Sequence, residues 1–195
     1  MKIIGITGGI GSGKSAVLNI LKDTEGVYTI EADKLAHSMF QPGEEVYKLV
    51  VQAFGSEILA EDGNIDRKIL GSMVMQDEGN LKLLNSIVHP RVKDYIRNDI
   101  EDKSNKYDYY AIEAALLIQD GYREICDQIW YVRADRAVRI ERLIKYRGFT
   151  EDRAVQYMNN QPEEEYYINN SDLVIDNSGN VEDLKIIIYS DLDLI

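Results

Sequence analysis

The sequence predicts an α/β fold: a five-stranded parallel sheet with helices on both faces, and a helical subdomain inserted into it. Three observations carry this. Short apolar runs alternate with stretches of helical periodicity. A glycine-rich loop follows the first apolar run directly and opens a helix. The helical stretch between the second and third strands, about 34–104, is too long for a simple crossover.

Lys2–Thr7 is rich in isoleucine and stops at Gly8, the pattern of a buried strand. A helix begins near Lys14, with Val17, Leu18 and Leu21 on its inner face. Val27–Ile30 is a second strand, ending in Glu31-Ala32-Asp33. Helical patterns then run from about Lys34 to Phe54, broken at Pro42 and Gly43, and again from Ile65 to Ile100. In the second stretch Leu81, Leu84, Val88, Val92, Ile96 and Ile100 recur at spacings of three and four, and Pro90 is expected to kink the helix or split it after His89. Tyr109–Ile118 is nearly continuous in apolar residues, which suits a central strand buried on both faces. Gln128–Val132 and Leu173–Ile175 supply the last two strands. Ala134–Tyr146 and Glu151–Asn160 read as helices meeting at Gly148. Val181, Leu184, Ile188, Leu192 and Ile195 form the apolar stripe of a closing helix. Glu163-Glu164-Glu165 reads as a solvated surface.

Composition narrows the function classes. Hydrophobic residues make up 45% of the 195, enough for a real core, and no apolar run approaches the length of a membrane span. A single cysteine, Cys126, allows no internal disulfide. With no signal-like start, the expectation is a cytoplasmic protein. The formal net charge of −12 repels nucleic acid and anionic membranes, so neither is an expected partner. The same field repels nucleotides, so a nucleotide site has to be built from grouped local cations.

Gly8-Gly9-Ile10-Gly11-Ser12-Gly13-Lys14-Ser15 matches the phosphate-loop pattern G-x-x-x-x-G-K-[ST] in full, between a strand and a helix. Its glycines let backbone amides turn toward an anion, and the following helix, continuing through Ala16, adds its N-terminal amides and dipole. Lys14 is expected to reach the β- and γ-phosphates and the Ser15 hydroxyl to bind Mg²⁺. The bland alternative is a glycine-rich turn without a ligand.

The loop alone does not choose among kinases, switches and motors. Asn105–Asp108 matches the guanine-reading N-K-x-D, and Asp176–Gly179 matches D-x-x-G. In a GTP-dependent switch the second motif comes first along the chain, and the first follows a strand instead of preceding one, so both read here as polar turns. Asp33 lies just past the C-terminal end of the second strand, and α/β proteins bind ligands outside the carboxyl ends of their strands. A carboxylate there can take a proton from an attacking hydroxyl; it can equally be a helix N-cap. Arg139, Arg142, Lys145 and Arg147 cluster after the fourth strand, and Arg139 and Arg142 share a helix face. They read either as cations folding over ATP or as a solvated basic face, and in so acidic a chain function is preferred for Arg142 and Arg147.

Nearly the whole chain resembles the dephospho-CoA kinase family, and several segments carry the resemblance. These are Thr7–Ser15, Glu31-Ala32-Asp33 with Leu35-Ala36, and Gly63-Asn64-Ile65-Asp66-Arg67 with Leu70. Leu84-Asn85 with His89-Pro90, Arg142-Leu143 with Arg147 and Gln161, and Asp172–Asn177 complete the set. The resemblance implies a P-loop nucleotide-kinase-like core at about 1–33, 107–135 and 170–195, a helical CoA-binding insertion at about 34–104, and a mobile lid at about 136–169. It implies phosphorylation of the ribose 3′-hydroxyl of dephospho-CoA by ATP with Mg²⁺, the last step of CoA synthesis. Asp33 becomes the general base, Arg67 and His89 contacts to dephospho-CoA, and Arg139 and Asn177 part of the ATP site. The remaining readings are another small-molecule or nucleotide kinase and a degenerate CoA-binding protein. The sequence departs from the family at Ala115 (often proline), Gln119 (often glutamate), Tyr157 (often arginine) and Tyr167 (often lysine). Two basic positions near the lid are thereby lost; either phosphate neutralisation is weaker, with slower turnover or an altered substrate, or the retained Arg139, Arg142 and Arg147 suffice.

Overall fold

A computed structural model describes residues 1–194; Ile195, placed by its spacing on the closing helix, lies outside the described residues. The strands are β1 (Lys2–Thr7), β2 (Val27–Glu31), β3 (Tyr109–Glu113), β4 (Gln128–Arg133) and β5 (Leu173–Asp176). They form one parallel sheet in the order β2-β3-β1-β4-β5. The helices are α1 (Lys14–Lys22), α2 (Ala32–Ser38), α3 (Glu45–Phe54), α4 (Arg67–Gln76), α5 (Glu78–Lys103), α6 (Arg136–Arg147), α7 (Glu151–Asn159), α8 (Glu164–Asn169) and α9 (Val181–Asp191). Residues Glu31–Lys103 make one compact unit, and the chain on either side of them makes another. Among the described residues no helix is long and apolar enough to cross a membrane.

In the larger unit β1 is the central strand, and it is covered on both faces. On one side Ile4 and Ile6 pack with Val17, Leu18 and Leu21 of α1, Trp130 and Val132 of β4, and Leu184 and Ile188 of α9. On the other, the Gly5 position leaves room for Cys126 and Leu117; a Cβ at Gly5 would lie 2.8 Å from the Cys126 sulfur. Burial raises the Cys126 thiol pKa to about 12, so it packs as a small neutral apolar group.

Leu117 corrects one expectation. The apolar run continues to Ile118, but β3 ends at Glu113. Ala114 still donates to the Ile6 carbonyl at 3.2 Å, after which the chain turns, with Asp120 donating to the Leu116 carbonyl at 2.8 Å. Leu117 therefore serves packing from a loop, not a ladder, while Leu116 is exposed. Tyr110, Ala111 and Ile112 are fully buried, as an interior strand requires, but the centre belongs to β1.

The smaller unit is built on α5, against which α2, α3 and α4 all pack. Val88, Val92 and Ile96 of the apolar stripe are buried, whereas Leu81 is exposed. Pro90 does not split the helix: α5 runs unbroken from Glu78 to Lys103. A proline costs one ladder hydrogen bond, and three packed neighbours outweigh that loss here. The connection before α4 is a tight turn in which Ala60 donates to Asn64 at 2.8 Å and the Tyr47 hydroxyl donates to the Gly63 carbonyl at 2.6 Å. Asp66 caps α4 by accepting from the Lys68 and Ile69 amides at 2.8 and 3.2 Å.

The β4–β5 edge is tied by Asp172. Its carboxylate accepts from the Ile129 amide at 2.7 Å and from the Arg123 guanidinium. The Arg123 hydrogen bond holds the Asp172 carboxyl below its ordinary value. A folded-state pKa below the unfolded one contributes stability above the unfolded value, which is lost as pH falls. Asp172→Asn is therefore expected to be less stable than the native chain at pH 7, with the gap closing below about pH 4. Urea unfolding at the two pH values checks this, and a pH-independent gap would contradict it.

Candidate active site

The phosphate loop leaves the C-terminal end of β1, where the register sets Ile6 beside Glu113 of β3 and Thr7 beside Tyr131 of β4. Gly13 caps α1 in the left-handed region at φ 94°, a conformation that favours glycine, and a Cβ there would strike the Asn177 amide. Lys14 curls back across the loop. Its Nζ donates to the Gly8 carbonyl at 2.8 Å and lies 3.9 Å from Glu113 Oε1. Ser15 is exposed on the first turn of α1. The Thr7 and Ser12 hydroxyls are buried beneath the loop without a hydrogen-bond partner among the described residues.

The loop's carbonyl oxygens are held from outside by side chains far along the chain. Arg139 Nε donates to the Ile10 carbonyl at 2.8 Å. Arg142 donates to Ser12 O at 3.3 Å and to Asn177 O at 2.8 Å. The buried Asn177 side chain donates to Ser12 O at 2.8 Å, and its backbone amide donates to Arg133 O at 2.9 Å. Gln161, in the turn between α7 and α8, accepts from the Ile10 amide at 2.8 Å and from Arg139 Nη2 at 3.0 Å. Burial lowers the Arg139 pKa from its very high ordinary value. Arg147 sits exposed at the end of α6, five residues past Arg142 and off its face.

Beside the loop, Arg133 gathers Asp176, Asp135 and Glu164, so the acidic run 163–165 is not only a solvated surface: it opens α8 and supplies an ion pair. The Tyr167 ring is buried and stacks on Tyr131 with centroids 4.9 Å apart. Burial, then the Glu164 charge, raises the Tyr131 pKa to about 12, keeping the ring neutral. Gln119 hydrogen-bonds the Tyr167 side chain. Two departures from the family pattern thus meet each other. Tyr157 packs on Phe149 at 5.3 Å, with the Arg153 guanidinium 4.4 Å over the Phe149 ring.

The structure brings Gly8–Ala16, Arg139, Arg142 and Asn177 into one site. Asp33, Arg67 and His89 belong to the smaller unit. Asp33 is exposed in the first turn of α2, and the N-cap position is Glu31, not Asp33. Arg67 opens α4 and, with Lys68, Gly71, Ser72, Met75 and Gln76, lines an open groove of about 560 Å³. His89 lies within unbroken α5, so it caps no helix break. Asn105–Asp108 sits at the N-terminal end of the strands, opposite the end that carries the phosphate loop, with Asp108 O accepting from Lys2 N at the start of β1. That position removes it as a base-reading motif for this loop. Sequence reading missed Glu113, whose only signal was an acid closing an apolar strand, and it left Gln161 without a role.

A complete phosphate loop on the central strand, with a lysine and a strand-end carboxylate beside it, defines a P-loop nucleotide-binding protein of the small-kinase type. A sequence model described as Dephospho-CoA kinase matches residues 2–183. The dephospho-CoA kinase of Carboxydothermus hydrogenoformans is 38% identical over 186 residues, 95% of this chain and 90% of the relative. Among solved structures, TT1252 from Thermus thermophilus aligns with a TM-score of 0.82 at 28% identity, over 98% of this chain and 96% of the other. Dephospho-CoA kinase from Campylobacter jejuni shares the fold, with a TM-score of 0.70 at 24% identity over 99% and 96% of the two chains. The chain belongs to the dephospho-CoA kinase family.

Asn177→Ala is expected to lower unfolding stability by about 1–2 kcal/mol, because Ser12 O keeps only the longer Arg142 contact. Urea denaturation measures this, and an unchanged midpoint would show that the Asn177 contact carries no net weight.

Proposed function

We propose that this chain is an ATP-dependent kinase that phosphorylates the ribose 3′-hydroxyl of dephospho-CoA, giving coenzyme A and ADP. The observation that carries the reading is the intact phosphate loop, with Lys14 folded over it beside Glu113, in a chain that matches the family along residues 2–183. In this reading the core 1–33, 107–135 and 170–195 holds ATP, 34–104 takes dephospho-CoA, and 136–169 is the lid.

The transfer forms a bond between the acceptor oxygen and the γ-phosphorus and breaks the bond from that phosphorus to the β,γ-bridging oxygen. Asp33 orients the 3′-hydroxyl and takes its proton. Lys14 leaves the Gly8 carbonyl for the phosphates and spreads positive charge over the transferred group. Arg142, held on Ser12 O and Asn177 O, adds its field from the loop, and exposed Arg147 adds a charge when the lid closes and excludes water. Arg139 and the Asn177 loop border the nucleotide. Arg67 stands with Lys68 in the first turn of α4, next to the Asp66 cap, and these two cations suit the diphosphate of dephospho-CoA. His89 is a second contact to the same substrate.

Mg²⁺ suits the donors available. The Ser15 hydroxyl and the Glu113 carboxylate are hard oxygen ligands. Among the described residues no cluster of three or more acidic, histidine or cysteine side chains exists, consistent with an ion held largely by phosphates and water. When bound, it would neutralise phosphate charge. The reaction belongs in the cytoplasm, where ATP is supplied.

ADP release from ATP and Mg²⁺ is expected to depend on dephospho-CoA, with a product one phosphate heavier by mass. Acceptor-independent release, or activity only on a different alcohol, would move the reading to another kinase. Asp33→Asn is expected to lower kcat by about a hundredfold or more with little change in KM; near-native turnover would remove Asp33 from the proton transfer. Lys14→Ala is expected to lose activity at any Mg²⁺ concentration, and retained activity would contradict the loop assignment.

A further inference from the structure

The Ile10 backbone is gripped on both sides by one small network. Its N–H donates to Gln161 Oε1 at 2.8 Å, its carbonyl accepts from Arg139 Nε at 2.8 Å, and Arg139 Nη2 donates to the same Gln161 oxygen at 3.0 Å. The three contacts close a ring through one peptide segment, one amide and one guanidinium. The Ile10 side chain packs against the small core of Leu143, Ala154 and Met158 between α6 and α7. Gly9 serves the same network: a Cβ there would lie 2.9 Å from Gln161 Oε1 and collide with the Arg139 guanidinium.

The acceptor at the centre of the ring is neutral. Among the described residues no carboxylate pairs with Arg139, and Glu164, whose charge acts on it through space, is bonded to Arg133. An amide oxygen can join a backbone N–H to a guanidinium without cancelling the cation beside the phosphate loop; a carboxylate would cancel it.

We propose that Gln161 is a positioning residue for ATP. Its side-chain oxygen fixes the Ile10 segment of the phosphate loop against Arg139, so that the loop meets the triphosphate already shaped. The residue touches neither reacting atom; it acts through the loop. The inference rests on the reading of this chain as an ATP-dependent kinase, and it concerns the donor side only.

Two variants separate the oxygen from the packing: Gln161→Met keeps length and volume without the acceptor, and Gln161→Ala removes both. ATP affinity is measured by direct titration of the full chain without acceptor, alongside KM for dephospho-CoA and the thermal midpoint. Both variants are expected to weaken ATP binding by about tenfold, the scale of two modest hydrogen bonds. KM for dephospho-CoA is expected to stay at the native value in both variants. Native ATP affinity in Gln161→Met overturns the proposal, as does a loss confined to Gln161→Ala, since packing alone would then explain it. Equal losses for ATP and dephospho-CoA together with a lowered midpoint also overturn it. Because ATP binding is read without acceptor, failure of native protein to phosphorylate dephospho-CoA would sink the acceptor assignment while leaving this test intact.

Discussion

A loop that turns its amides toward an anion turns carbonyl oxygens away from it, and those oxygens need donors. Most of this site follows from that requirement. Ile10 O is taken by Arg139, Ser12 O by Arg142 and Asn177, and Gly8 O by Lys14. The helix after β4 and the loop after β5 therefore close on the phosphate loop because they bring its missing donors. The glycines at 9 and 13 have the same origin, since a side chain at either position would displace a donor group from the loop.

The charge pattern follows the same division. The chain carries a formal charge of −12, so its cations have to be spent selectively. Arg123 and Arg133 are bonded to carboxylates and serve the β4–β5 edge and α8. Arg139 and Arg142 are bonded to neutral carbonyl and amide oxygens, which orient a guanidinium without cancelling it. Lys14 is intermediate, at 3.9 Å from Glu113, near enough to be steered and too far for a tight hydrogen-bonded pair. Positive potential is thereby kept where a polyanion would sit.

The positions at which the sequence departs from its family resolve by the same logic. Gln119 and Tyr167, where the family often has an acid and a lysine, are hydrogen-bonded to each other, and Tyr167 stacks on Tyr131. Both side chains are neutral, so neither adds charge beside Tyr131. Tyr157, in the place of an arginine, instead joins an aromatic contact with Phe149 under Arg153. The Arg153 guanidinium also lies 5.7 Å over the Tyr157 ring, so a cation stands beside this position.

The sequence by itself determined the strands, the phosphate loop and the α/β class, because each is written in a short contiguous pattern. Apolar runs bury strands, and Gly8, Gly13, Lys14 and Ser15 at fixed spacing make an anion-binding turn. It also fixed the buried stripe of α5, through Val88, Val92 and Ile96. Only the tertiary structure decided that β3 stops at Glu113, because Leu117 is needed across the face of Gly5. It decided that α5 passes through Pro90, because packing against three helices offsets one lost hydrogen bond. It also assigned Gln161 and Arg139 to the loop, across sequence separations of 151 and 129 residues. Periodicity reports which face of an element is buried; it carries no signal of which distant donor a buried carbonyl will find, because that pairing exists only once the chain has closed.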